Sequence, residues 1–393
     1  MNQDILHTEV QSYINSNLNE EITKLLLKGK QIHNVNTKAI VEQIEAKRKS
    51  KNKLPTWFGT ESIYFPNKLN IEQTSSEITA NYKSELISGN QIIDITGGYG
   101  IDCHYFSKRF TKVIHCEINK ELSQIVEYNS KLLQTNNIDF VPTDGIDFIK
   151  SNDESFDWIY IDPSRRHDQK GKVFFLEDCL PNVPKNIDFL FSRTEQIMIK
   201  TSPLLDISIG LNELKHVESI HIVSVKNEVK ELLWLLKKEY CDNIKVCAVD
   251  IVNDKQEKFS YDLGEEQISK PTYSQPLSFL YEPNVAIYKS GAFKLMSSKL
   301  GVHKLHSNSH LYTSEDLILF PGRRFKINKI MPYNKQLLKK ELSTKANITT
   351  RNFPETVQYI RKKLGIKEGG NSYLFFTTNL LNEKIVLFCS KVE

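Results

Sequence analysis

Apolar residues recur at three- and four-residue spacing near the start of the chain, where Ile14, Leu18, Ile22, Leu25 and Leu26 predict helix. A second such stretch (Ile40, Val41, Ile44) runs into the basic segment Lys47 to Lys53 before Leu54-Pro55. Residues 1–60 therefore read as an N-terminal helical region packed onto the neighbouring domain. From about Asn90 the pattern changes to seven β-rich runs: QIIDIT, KVIHCEI, DFVPTD, FDWIYID, QIMIKTS, SIHIVSV and KVCAVDI. They alternate with helix-length stretches, which predicts an α/β domain over residues 61–265 with a parallel sheet covered on both faces. The polar segment Asp254 to Pro276, with two prolines, reads as a boundary. Beyond it, Ala286 to Leu300 and Leu311 to Ile330 predict a small α/β unit. The last stretch predicts a helix near Glu355 to Leu364 and two strands, SYLFFTT and KIVLFCS, around a turn at Asn382.

Length and composition narrow the class without changing this picture. The 393 residues suffice for two to three domains, and 39% hydrophobic with 25% charged residues is ordinary for a globular protein. No apolar run approaches the roughly 20 residues of a membrane span, and Met1 to Glu20 lacks the features of a secretory leader, so a cytoplasmic protein is expected. Six scattered cysteines without a Cys-x-x-Cys argue for reduced, mostly buried thiols and against a structural zinc site. Charge is distributed unevenly. From Val285 to Glu393 there are 19 Lys and Arg against 7 Asp and Glu, so the remainder is net acidic although the whole chain is +4. Such a basic third is either a solvated lysine surface or a footprint for a polyanion, with nucleic acid the expected one.

The first β-rich run ends in Asp94-Ile95-Thr96-Gly97-Gly98-Tyr99-Gly100, a glycine turn before a helix, where backbone can approach a ligand closely. A dinucleotide loop requires a third glycine; here Gly98-x-Gly100 is followed by Ile101-Asp102-Cys103, which counts against a nicotinamide-dependent oxidoreductase. The arrangement Asp94-x-x-x-Gly98-x-Gly100 instead resembles motif I of class I S-adenosylmethionine-dependent methyltransferases. An acid beside the glycines suits a cationic, amino-acid-bearing ligand better than a pyrophosphate. The next run ends in Glu117-Ile118, 20 residues after Gly97, where the acid could accept hydrogen bonds from both ribose hydroxyls. The third ends in Thr143-Asp144-Gly145, and the resemblance implies that this Asp bonds the adenine amine. Asp94, Thr96, Gly97, Gly98, Gly100, Glu117, Ile118, Asp144, Gly145 and Asp162 are the expected cofactor-binding residues.

The fourth run leads into Asp162-Pro163-Ser164-Arg165-Arg166. Methyltransferases acting on base amino groups carry an Asp/Asn-Pro-Pro-aromatic motif there, in which the side-chain oxygen accepts from the target amine and an aromatic ring stacks on the base. Asp162 and Pro163 match and are the expected catalytic residues; Ser164 and Arg165 depart from the motif and remove the stacking ring. The loop Arg165 to Lys172 carries four cations suited to a backbone phosphate, with Ser164, Arg165 and Arg166 as substrate-binding candidates. Asp-Pro-Ser-Arg also resembles the Asp-Pro-Pro-Arg of RNA uracil-C5 methyltransferases, which need a nucleophilic cysteine at the end of the next strand. This chain has Lys200-Thr201-Ser202-Pro203 there.

Together with Lys53-Leu54-Pro55-Thr56-Trp57 and the segment from Tyr64-Phe65-Pro66 to Ser76-Glu77, these motifs resemble bacterial class I methyltransferases with a THUMP-like C-terminal domain. That resemblance implies a Rossmann-like seven-stranded methyltransferase domain, a ferredoxin-like insert at residues 272–314 and a THUMP-like domain at 315–393. The segment Tyr64 to Thr79 also resembles the cofactor-covering stretch of trimethylguanosine-synthase-like RNA methyltransferases, with Gln73 and Thr74 as candidate lid residues. THUMP domains of better understood enzymes bind the ends of transfer RNA, which makes Arg323, Arg324 and Lys362, in the densest basic clusters, candidate RNA contacts. His303, His306 and His310 lack a completing cysteine or acid and sit among poor helix formers, so no metal is expected.

The expectation is an S-adenosylmethionine-dependent methyltransferase acting on a base nitrogen of transfer or ribosomal RNA. The rivals are a non-catalytic RNA-binding protein with a cofactor-like pocket, and a methyltransferase of a protein or small molecule.

Overall fold

The computed structural model describes residues 1–29, 31–165 and 175–392. The chain divides into two compact units, Met1–Ile220 with Lys230–Asp242, and His221–Val229 with Asn243–Glu393.

The first unit opens with helices Thr8–Ser16, Ile22–Lys28 and Thr37–Lys53. The apolar stripe expected from Ile14 to Leu26 is interrupted, because the Asn17 side-chain amide turns back to donate to the Tyr13 carbonyl at 2.8 Å and ends the first helix. Ile14 and Leu25 still reach the core, whereas Leu26 is left exposed. Asn36 caps the third helix by accepting from the Ala39 amide, and Ile40, Val41 and Ile44 are buried as their spacing predicts. Pro55 then occupies the first turn of the short helix Pro55–Gly59. Thr56 donates both its amide and its hydroxyl to Glu77 at 2.7 Å, and buried Trp57 meets His104 edge-on. Those contacts fasten the helical region to the sheet domain.

Seven strands come next: β1 (Gly89–Asp94), β2 (Phe110–Cys116), β3 (Ile138–Val141), β4 (Trp158–Ile161), β5 (Gln196–Thr201), β6 (Val217–Val225) and β7 (Glu228–Lys237). They belong to a sheet of nine strands, not the seven expected, in which their order is β3-β2-β1-β4-β5-β7-β6. Strands β1 to β5 are parallel, and β7 runs antiparallel to β5. Helices between them, such as Lys120–Leu132 and Val183–Leu190, make the arrangement Rossmann-like. Strand centres are apolar throughout, with Ile92, Ile93, Ile159, Ile161, Ile197 and Ile199 fully buried, as strands covered on both faces must be.

The expected seventh run, KVCAVDI, is not β7. It forms the strand Lys245–Val252 in the second unit, while β7 comes from EVKELLWLLK. A continuous apolar run has no alternation to betray a strand; Leu232 to Leu236 are all buried. The segment read as a boundary holds the strand Lys255–Asp262, joined to Lys245–Val252 through Asn253-Asp254, both at positive φ. Those dihedrals match the two-residue turn that right-twisted hairpins favour. Only Phe259 and Tyr261 of this strand are buried, which is why it reads as polar.

The rest of the second unit is a seven-stranded sheet in the order His303–Lys304, Tyr312–Ser314, Phe279–Pro283, Gly322–Pro332, Lys384–Val392, Tyr373–Thr378 and Asn347–Arg351. Leu280, Phe325, Phe375 and Leu387 form one of its cores, and Ile360, Phe376 and Val386 belong to the other. The helix Val357–Leu364 and the left-handed turn residue Asn382 stand where expected. None of the six cysteines forms a disulfide, and Cys241 alone among them is exposed. No helix among the described residues is long and apolar enough to cross a membrane.

Candidate functional site

The glycine turn is held by its own backbone and by neighbouring strand ends. The Gly97 amide donates to the Cys116 carbonyl at 2.8 Å, and the Gly100 amide to the Gly97 carbonyl at 3.0 Å. A side chain at Gly97 would strike the buried His115 ring, and one at Gly100 would come within 2.4 Å of Val126 Cγ1. Two of the three glycines thus make room for the protein itself. Gly98 differs: its φ is +54°, and a Cβ there would meet nothing closer than the Thr96 carbonyl at 3.7 Å. Gly98 is the position where the loop opens.

Four strand ends converge on this loop. Glu117, after β2, accepts the Gly98 amide at 2.9 Å and the Asn119 amide at 2.7 Å. Ile118 beside it is 71% exposed, an apolar side chain next to a polar turn. After β3, Asp144 caps the helix Gly145–Ser151 by accepting from the Ile146 and Asp147 amides. Gly145 lies so close to Ile95 that a Cβ would stand 2.4 Å from the Ile95 Cβ, which draws the Asp144 turn against the loop after β1. Asp94 itself is buried and accepts from the Thr96 amide, the Thr96 hydroxyl and the Cys103 thiol. Burial pushes its carboxyl up to about 7, with Asp102 nearby adding to the rise against the Thr96 hydrogen bond.

Thr96 joins this cluster to the fourth strand end. Its hydroxyl donates to Asp94 and accepts the Asp162 amide at 2.7 Å. Asp162 is part-exposed, and its Oδ2 takes a hydrogen bond from Lys200 Nζ at 2.5 Å. Burial would lower the Lys200 ammonium, but the carboxylates of Asp162, Glu231 and Asp102 outweigh it and hold the group above its ordinary value. Pro163 is buried and Ser164 exposed in the short strand Ser164–Arg165, which pairs with Cys179–Leu180. Arg166 and the rest of the expected basic loop to Lys172 lie outside the described residues.

Near Asp162 is a buried charge network that the sequence reading did not anticipate. Lys83, wholly buried, donates to Glu231 at 2.8 and 3.0 Å and to Ser75 at 2.9 Å, and lies 3.2 Å from Asp102. Ser75 and Tyr160 both donate to Asp102 Oδ2, at 2.8 and 2.9 Å. The only sequence signal was a single acid, Glu231, at the head of the apolar run of β7. Ser75 ties in the segment that contains the candidate lid residues; Gln73 there is exposed, and the Thr74 amide closes the helix Lys68–Gln73. Lys53 reaches the carbonyls of Ile71 and Glu72, and burial together with Lys200 and Lys230 brings its ammonium down to about 8.

The candidate RNA contacts lie in the second unit. Arg323 is tied to the buried Glu282, which Arg351 also meets at 2.6 Å. Arg324 is half-buried, and Lys362 is exposed on its helix between Arg361, bonded to the Ala346 carbonyl, and Lys363, paired with Glu355. The three histidines stand apart in role: His303 meets Thr272, His306 meets Asn382 and Asn352, and His310 stacks on Phe293.

Three carboxylates at successive strand ends around one open glycine make an acidic cradle that would repel a pyrophosphate and attract a cationic ligand. Compared with known proteins, residues 279–321 match a ferredoxin-like domain family and residues 322–391 a family described as THUMP domain-like. Among solved structures, a Porphyromonas gingivalis W83 protein provisionally named a methyltransferase is 31% identical, with 98% of each chain covered and a TM-score of 0.88. An rRNA methylase of Streptococcus thermophilus is 14% identical over 41% of this chain and 94% of its own, with a TM-score of 0.31. TrmK of M. capricolum, in complex with S-adenosylhomocysteine, is 14% identical over 41% of this chain and 68% of its own, with a TM-score of 0.31. Likeness at the level of the last two says nothing about substrate. No curated protein matches the sequence.

Proposed function

Because the chain belongs to the methyltransferases that carry ferredoxin-like and THUMP-like domains at the C-terminal end, we propose that it methylates a base nitrogen of RNA with S-adenosylmethionine as donor. The observation that carries this reading is the Thr96 hydroxyl, which bonds Asp94 on one side and the Asp162 amide on the other. One hydroxyl thus couples the acidic glycine cradle to the residue that would hold the acceptor. The donor, when bound, supplies an activated methyl on a sulfonium, so the protein's task is positioning and charge placement.

The donor set fits that cofactor. Gly98 leaves room for the backbone to approach it, Glu117 and Asp144 offer acceptors to ribose and adenine, and exposed Ile118 offers an apolar surface to the purine. Asp94 bears a charge the fold resists, and a neighbouring cation would favour its ionised form. Asp162 has Oδ2 on Lys200, and its Oδ1, which takes no hydrogen bond among the described residues, would accept a substrate N–H. RNA is favoured by the surplus of twelve positive charges from Val285 to Glu393 and by the THUMP-like domain.

The test is nucleoside mass spectrometry of RNA from cells with and without the gene, followed by restoring the missing mark with purified protein and S-adenosylmethionine. A mark lost and restored supports the reading. RNA with unchanged nucleosides, or a protein that takes up neither the donor nor its demethylated product in calorimetry, would refute it. Asp162→Ala should keep cofactor affinity within a few fold while turnover falls about 10²-fold or more.

A further inference from the structure

The Lys200–Asp162 pair is more than an acceptor amine requires. An aspartate that positions an exocyclic amine has only to accept hydrogen bonds. Methylating that amine places positive charge on nitrogen in the transition state, and an adjacent ammonium opposes it and competes for the carboxylate. A lactam makes the opposite demand. In guanine (N1–H beside O6) or uracil (N3–H beside O4) the ring nitrogen becomes nucleophilic only as its proton leaves, and the negative charge spreads onto the neighbouring oxygen. A carboxylate facing the N–H and an ammonium facing the oxygen complement that edge.

Lys200 is built for such a role. Among the described residues its Nζ has one hydrogen-bond partner, Asp162 Oδ2, so two N–H groups remain. The strand end that carries it is pinned, since buried Trp234 donates to Thr201 Oγ1 at 3.0 Å. The charged groups around it come from four elements: Asp162 after β4, Glu231 on β7, Asp102 on the helix Ile101–Phe106, and Lys53 on Thr37–Lys53. Lys83 meets both buried carboxylates, Glu231 and Asp102, with a single positive charge. The surplus negative charge supports a second ammonium, that of Lys200.

Resting on the RNA methyltransferase reading, we propose that the acceptor is a lactam ring nitrogen, guanine N1 or uracil N3, with Asp162 taking the N–H proton and Lys200 binding the adjacent carbonyl oxygen. The balance is complete. The N–CH3 bond forms as the donor's S–CH3 bond breaks, the sulfur keeps the electron pair and becomes a neutral thioether, and the ring proton passes to the Asp162 carboxylate. Lys200 keeps its protons and stabilises the charge developing on oxygen.

The experiment incubates the full-length protein with methyl-labelled S-adenosylmethionine and RNA from cells lacking the gene, then identifies the labelled nucleoside. N1-methylguanosine or N3-methyluridine is expected. N2-methylguanosine, N6-methyladenosine, N4-methylcytidine or any other labelled nucleoside overturns the lactam proposal and leaves the RNA methyltransferase reading standing; no label in RNA overturns both. In parallel, Lys200→Met should lower kcat about 10²-fold at pH 7 with RNA affinity changed less than threefold. Its rate should keep climbing with pH for about two units beyond the wild-type plateau, because the lactam must now ionise without a cation beside it. Lys200→Arg should recover most of the rate. A Lys200→Met enzyme with an unshifted pH profile overturns the role of Lys200, and should that variant not fold, the nucleoside identity and Lys200→Arg still decide.

Discussion

Replacing Asp94 by asparagine should make the protein more stable above neutral pH while weakening its hold on a cationic cofactor. Burial raises this carboxyl from its ordinary 3.8 to about 7. The folded state therefore keeps a proton that the unfolded chain releases between those values, and stability falls as pH rises through that window. At about 1.4 kcal/mol per unit, the full cost of the buried charge above pH 7 is at most about 4 kcal/mol, of which near 3 kcal/mol is incurred between pH 5 and pH 8. Asparagine keeps the Oδ1 acceptor for the Thr96 amide and hydroxyl, now 2.8 and 3.1 Å away, and carries no charge at any pH. The assay is urea unfolding followed by tryptophan fluorescence, because Trp57, Trp158 and Trp234 are all buried in the first unit and report its unfolding. The gain of the variant over wild type should be larger at pH 8 than at pH 5 by about 1–3 kcal/mol. The same difference at both pH values would show that the Asp94 charge is not what the fold resists.

Affinity for S-adenosylmethionine should fall by up to tenfold per unit as pH drops below 7, where Asp94 becomes neutral, and the demethylated product, which lacks the sulfonium charge, should respond less; parallel pH dependence in calorimetry would contradict this. Lys83→Met strands Asp102 and Glu231 without their ammonium and should cost about 3–5 kcal/mol, part of it recovered by adding Glu231→Gln. A loss below about 1 kcal/mol in the same unfolding assay would mean the network relaxes freely. Gly100→Ala forces a Cβ to within 2.4 Å of Val126 Cγ1 at a φ of +74°, and should destabilise by about 2 kcal/mol. Val126→Ala in the same chain should return the steric part, and additive single effects in a double-mutant cycle would refute the contact.

Sequence reading fared best where one local rule governs one stretch of chain. The helix Thr37–Lys53 followed from its apolar spacing, and strands β1 to β5 followed from apolar runs ending in turn residues. It failed at β7, where five consecutive buried apolar residues erase periodicity, and at Lys255–Asp262, where only two positions are buried and the strand imitates a linker. The carboxylates of the acidic cradle were legible because each lies at the end of its own strand or within three residues of it. Lys200 was legible only as part of a string, because its meaning lies in Asp162, 38 residues earlier.

Neighbours along the chain thus settle the order of elements and the chemistry presented at each strand end, and both can be read before any folding is considered. Which glycine leaves open space, which lysine is held above its ordinary value and which arginines are held by Glu282 emerge only in the folded molecule. Those outcomes depend on burial and on charges brought together from distant segments, and neither quantity exists until the chain has folded.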